Sequence, residues 1–270
     1  MKDSETIIVE GDEFELTLQR YTDELGYRLD MIMPADAPRE ALLQNANHTV
    51  RIVGRPSKNV VAAAPGTDWT IGRAGMMYRD LIPDRLGGKL IASHIRILDG
   101  GEVSDTVHYH KIDFQIICCL KGAIRVVYEG QGEPFWLEPG DCVLQPPEIR
   151  HRVLEAKAGS EVIEITAPAE HETWFDHEMA LPTGHVRSEH IFRTQRFVRH
   201  LGTDSEWKAE DASGMATAPT GISSAGARAP QVYSILAKKR TNIIAVSKQS
   251  AATVIDLVID GRGLRVQLQE

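Results

Sequence analysis

No window of this chain approaches twenty consecutive apolar residues, so nothing in it reads as a membrane-spanning helix. The opening MKDSETIIVEGDEFEL is acidic and has no apolar signal-peptide core, which makes the cytoplasm the expected location. Basic residues are in deficit: the net charge is −8, and KKR at 238–240 is too short for a nucleic-acid patch. Only three cysteines occur, Cys118, Cys119 and Cys142. An odd count without C-x-x-C spacing excludes a disulfide framework or a zinc knot. Reduced thiols filling a β-structure's wall are expected, with Cys118 and Cys119 on opposite faces of one strand. Also missing are G-x-S-x-G, a Walker loop and a G-x-G-x-x-G that opens a helix, so serine hydrolysis and nucleotide chemistry have no support. GQG at 130–132 and GRG at 261–263 read as hairpin turns.

What is present is a soluble globular composition, 42% hydrophobic and 25% charged, in 270 residues, enough for one large or two modest domains. In residues 1–70, FELTLQRY and HTVRIVGR read as strands, and DAPREALLQNA as a helical turn or two after Pro38. From about residue 71, short apolar runs alternate with turns: KLIASHIRIL, FQIICCLKG, AIRVVYEGQG, EPFWLEPGD, CVLQPP, HRVLEA and EVIEITAP. That is the cadence of an antiparallel sandwich or barrel. EHETWFDHEMALP reads as a polar turn with a short helical piece, and 180–200 as a connection. TVIDLVIDGRGLRV echoes FQIICCLKGAIRV, each an apolar strand, a charged residue with glycine, then a second strand, which suggests an internal repeat.

The densest signal is His108 and His110, followed by Gln115, Gly122, Gly140, Pro146 and His151. Residues two apart on a strand share a face, so the H-x-H pair projects side by side. His151, beyond a proline-marked turn, is placed to meet them. Three imidazoles suit a divalent transition metal and leave positions open for water or substrate. With the pair inward, Gln115 and Ile117 are expected to face inward as well.

GGEVSDTVHYHKIDFQIICCLKG and GDCVLQPPEIRHRV resemble the two motifs of the cupin superfamily, over about residues 90 to 165. Gln115 stands where cupins usually carry a glutamate ligand, Glu148 where glycine is usual and Glu155 where asparagine is frequent. The resemblance implies an all-β, cupin-type double-stranded β-helix (jelly roll). The organisation read from it is an N-terminal extension at 1–70, a barrel at 71–178 and a partial second cupin-like repeat at 190–270. The second copy contains no H-x-H.

The resemblance also implies metal held by His108, His110 and His151, with Gln115 as a weak fourth ligand or a substrate contact. Glutamine offers a neutral carbonyl and an amide that can donate. Arg150, beside the third histidine, is a candidate to touch substrate. His94 is expected to bond a neighbouring carbonyl. Arg79, Asp80, Asp84 and Arg85 read as a surface salt-bridge cluster, His171 and His177 as a solvated loop, and Tyr109 as outward-facing. The function this implies is a metal-dependent oxidoreductase, a dioxygenase acting on a small anionic organic molecule. The metal would be iron first, then nickel, manganese or zinc, and the chain a homodimer binding neither nucleic acid nor membrane. A non-redox isomerase and a non-catalytic small-molecule binder are the alternatives.

Overall fold

The computed structural model describes residues 3–55, 69–210, 214–249 and 251–269. The N-terminal strands are β1 (Asp3–Glu10), β2 (Arg28–Met33), β3 (Glu40–Gln44) and β4 (His48–Arg55). A second set follows: β5 (Met77–Asp80), β6 (Ile91–Ile97), β7 (His108–His110), β8 (Phe114–Lys121), β9 (Ile124–Tyr128), β10 (Phe135–Leu137), β11 (Cys142–Gln145), β12 (His151–Ala156), β13 (Ser160–Ala167) and β14 (Thr173–Phe175). After β15 (Val198–His200) come β16 (Met215–Pro219), β17 (Gln231–Ala237), β18 (Ile243–Gln249), β19 (Ala252–Ile259) and β20 (Arg262–Gln269).

Two sheets enclose the barrel. One runs β1-β4-β3-β2-β14-β7-β12-β9-β10, and the other runs β15-β11-β8-β13-β6-β5. The fold is the expected all-β jelly roll. Residues 1–55 do not stand apart as a cover: β2 pairs with β14, which pairs with β7, so they prolong the sheet that bears the H-x-H pair.

Three local expectations are corrected. FELTLQRY is not a strand; Phe14–Gln19 is an α-helix that continues as a wider turn to Glu24. Phe14, Leu18 and Tyr21 pack on the small N-terminal core while Leu16 is exposed, so the buried stripe follows the 3.6-residue period. In DAPREALLQNA, Glu40–Gln44 is a strand that buries Ala41 and Leu43 at alternate positions. Thr173–Phe175, expected in a turn and helical piece, is the strand that joins the N-terminal strands to the barrel.

β8 shows why its sequence is apolar almost throughout. Phe114, Ile116, Cys118 and Leu120 face outward into one core, and Ile117 and Cys119 face the barrel interior. The outward core is covered by a third sheet, β16-β17-β20-β19-β18, whose Ile255, Leu257, Leu264 and Val266 pack there with Ile163 and Ile165. Each such fully buried aliphatic side chain contributes about 1.5–3 kcal/mol. The repeat echo is one of strand–turn–strand pattern, with different pairing in its two copies. β19 and β20 form a hairpin, whereas β8 and β9 belong to opposite sheets of the barrel.

The cysteines are free and buried on this wall, as expected. Cys118 and Cys142 lie directly opposite each other in register. Burial pushes the Cys119 thiol up to about 12.

His94 does not bond a carbonyl. It is fully buried, donates from Nε2 to the Glu161 carboxylate at 2.8 Å and accepts at Nδ1 from Arg79 at 3.0 Å. Arg79 thus leaves the expected four-residue cluster, while Arg85 pairs with Asp80 and Asp36. Burial pushes the His94 imidazole down from 6.5 to about 4. The unfolded chain therefore takes up a proton that the fold refuses, and stability falls as pH drops from about 6.5 toward 4. About 2 kcal/mol is expected to go between pH 7 and pH 5. Urea unfolding at the two pH values should show this loss in the wild type and a smaller one in His94→Gln; equal losses would contradict the assignment.

Candidate metal centre

β7 and β12 lie side by side, with His151 directly opposite His108 in register. β14 flanks β7 on its other side and sets Thr173 opposite His110. The three histidines meet in the barrel interior: one ring nitrogen from each falls within 4.8 Å of the others, and all three side chains are buried. Ring centroids are 4.2 Å apart for His108 and His151, 5.1 Å for His108 and His110, and 5.2 Å for His110 and His151.

The hydrogen bonds set the tautomers. His108 donates from Nδ1 to the Thr106 carbonyl at 2.7 Å, and His151 from Nδ1 to the Ile149 carbonyl at 2.9 Å. A carbonyl only accepts, so in both rings Nδ1 carries a proton, and His151 Nε2, which accepts from the Gln145 amide, holds a lone pair. His110 Nδ1 meets the Thr173 hydroxyl at 2.9 Å. Imidazoles with Nδ1 held by a protein partner and Nε2 turned to the cluster are the arrangement a divalent metal uses. The residues present fit such an ion. Thr173→Val removes the hydroxyl that orients His110 and should weaken metal affinity by about 10- to 100-fold, read by chelator competition.

Gln115 faces inward, as expected, opposite Gln145 in register. Its carbonyl accepts a hydrogen bond from the Gln145 amide, which also donates to His151 Nε2 at 3.2 Å. The Tyr128 hydroxyl donates to Gln145 Oε1 at 2.6 Å, and burial pushes that hydroxyl's pKa well above its ordinary value. A chain Tyr128–Gln145–Gln115 therefore stands beside the third histidine. Gln145 and Tyr128 were missed in the sequence. The available signal was a polar residue closing the apolar run CVLQ.

Arg150 is placed elsewhere. It lies over the Tyr109 ring at 4.2 Å and pairs with Asp176 at 3.1 Å. Alternation puts it on the face opposite His151, and Tyr109 points the same way. The structure thus seats Arg150, a candidate to touch substrate, on Tyr109 and Asp176 and away from the histidines. His171 departs from its reading as a solvated loop residue: it is buried, edge-on to His110 at 5.4 Å, and burial keeps its imidazole below its ordinary pKa. His177 donates to or accepts nothing from this cluster; its Nε2–H reaches the Leu29 carbonyl at 2.8 Å.

A small cavity of about 40 Å³ lies against His110 and His151 in the barrel, room for a few waters. A smaller, more polar space of about 20 Å³ meets it at His110, Tyr78 and Glu164 and reaches Asp36 and His171.

A jelly roll with three inward histidines, two of them lining a cavity, is the arrangement that the cupin resemblance implies. Residues 94–166 match the family described as Cupin domain. It is similar in structure to oxalate decarboxylase from Bacillus subtilis, at 10% identity and a TM-score of 0.46, over 75% of this chain and 68% of that one. It is also similar to KdgF from Halomonas sp., at 23% identity and a TM-score of 0.32, over 38% of this chain and 88% of that one. No curated protein matches it in sequence. None of its described helices is long and apolar enough to cross a membrane.

Proposed function

We propose that this cupin is a metal-dependent oxidoreductase, a dioxygenase acting on a small organic molecule with an anionic oxygen head. His108, His110 and His151 would hold a divalent transition metal, iron before nickel, manganese or zinc. The observation that carries the reading is the convergence of three buried imidazoles, two of which line a cavity in the barrel. When bound, the metal supplies Lewis acidity and, as iron, reactivity toward dioxygen. The chain supplies the rest. Three histidine ligands leave the site cationic, which attracts an anionic head. The Gln145 amide, now on His151 Nε2, yields that lone pair to the ion and keeps Gln115 as its partner. Gln115 is then a substrate contact or a weak ligand through its carbonyl. Buried aliphatic walls keep water out. In this reading the protein acts in the cytoplasm as a homodimer; the edge strand β18, with Ile244 and Val246 exposed, supports the pairing.

A second reading is a non-redox isomerase, favoured by the carboxylate of Glu164 on the cavity wall, which can accept a proton. Oxygen uptake by iron-loaded protein separates the two. The dioxygenase predicts oxygen consumed in step with substrate and no turnover in air-free buffer. Undiminished turnover without air would remove it and leave the isomerase.

A further inference from the structure

Gln145 closes β11, and both ends of its side-chain amide are engaged inside the barrel. Its oxygen accepts from the Tyr128 hydroxyl at 2.6 Å. Its nitrogen has two hydrogens to give. One goes to the Gln115 carbonyl and the other to His151 Nε2 at 3.2 Å. Tyr128 in turn stacks on the His151 ring, with centroids 5.6 Å apart and planes 24° from parallel. Gln115, Tyr128 and Gln145 are all buried.

That network is complete only while the His151 lone pair is available to it. A metal ion held by the three histidines uses the lone pair for its own bond, and one amide hydrogen then loses its acceptor. Tyr128 and Gln115 hold the amide from both ends, so it cannot turn away. A buried N–H without an acceptor is costly, and folded proteins rarely leave one. The replacement has to come from within the cavity of about 40 Å³ that Gln145 and Tyr128 line together with His110 and His151. That space admits a ligand of a few heavy atoms. An anion accepts such a hydrogen bond more strongly than a neutral group, and three uncharged histidine ligands leave the charge of the ion unbalanced.

We propose that Gln145 is the anion-binding residue of this site: its amide N–H receives a small hydrogen-bond-accepting anion beside the three histidines. Tyr128 and Gln115 act through it as positioning residues. This rests on the metal reading above and assigns the ligand contact within it.

The test is titration of cobalt(II)-loaded protein with azide, followed by visible absorption of the ion, with cobalt affinity measured by chelator competition on the same samples. The wild type should bind azide. Gln145→Leu should bind it about 10- to 100-fold more weakly, which is what one hydrogen bond to a charged group is worth. The same variant should hold cobalt at least as tightly, because no amide competes for His151. Gln145→Glu keeps the shape and replaces the donor with a carboxylate. It makes the same test should the first variant fail to fold, and should weaken azide at least as far. Tyr128→Phe should weaken azide about 3- to 10-fold with cobalt affinity unchanged, a split that a merely structural role would not produce. Cobalt-loaded wild type that takes no azide, or equal azide affinity in the wild type and the Gln145 variants, overturns this inference alone. So does a Gln145 variant that loses cobalt and azide affinity in step, since the residue would then only support the histidines. Failure of the wild type to load cobalt sinks the metal reading and the inference with it.

Discussion

Replacing His108 and His110 together by alanine is expected to abolish metal binding while leaving the barrel folded. Each histidine brings one ring nitrogen to a cluster within 4.8 Å, and a lone His151 is an ordinary monodentate ligand. Losing even an outer partner of a metal ligand costs about 10- to 100-fold in affinity, so losing two ligands should exceed about 100-fold. The fold should survive, because β7 is held by β14 and β12 through backbone pairing. Chelator competition and far-ultraviolet circular dichroism on the same protein give the two readouts. His151→Ala is an independent variant that removes one ligand and should weaken binding by at least about 10-fold. Unchanged metal content in a folded double variant would place the metal elsewhere.

The second large effect is expected at Gly122, the glycine that follows β8. Its φ is +70°, a left-handed conformation that costs other residues about 1–2 kcal/mol. An added Cβ would also lie 2.8 Å from the Ser160 Cα, which is backbone and cannot swing away. Ser160 is pinned: its hydroxyl accepts from Ala123 N at 3.0 Å and lies 2.6 Å from the Lys157 carbonyl, and it opens β13 opposite Ile97. Overpacking adds about 1–3 kcal/mol. Gly122→Ala should therefore lose about 2–5 kcal/mol in urea unfolding. A loss under about 0.5 kcal/mol would mean that the turn relaxes freely and that this glycine has no steric reason to be there.

That glycine shows what the sequence disclosed. The H-x-H pair, His151, and the glycine and proline turns were legible because they depend on local rules: alternation along a strand, and backbone angles that one residue type tolerates. The inward face of β8 followed from the same alternation. Residues brought in by long-range pairing were not legible. Thr173 reaches His110 only because β14 adds to the edge of β7, and Glu164 enters the cavity through the register of β13. His171 and Gln145 bore no motif, and a six-residue spacing to His177 carried no information about burial. Phe14–Gln19 misled because apolar residues at 14, 16 and 18 fit a strand's alternation as well as a helix's stripe. Only the exposure of Leu16 decides between them. Arg150 was expected in the site by proximity in sequence, yet adjacency on a strand means opposite faces.

The claim that His108, His110 and His151 hold a metal is tested most directly by metal-edge X-ray absorption on untagged wild-type protein, after elemental analysis of the same sample. The account predicts about one divalent transition metal per chain, ligated by nitrogen and oxygen at about 2.0–2.2 Å, with scattering from three imidazoles and none from sulfur. Protein that stays empty after reconstitution, or metal bound to sulfur from Cys118, Cys119 or Cys142, would contradict it.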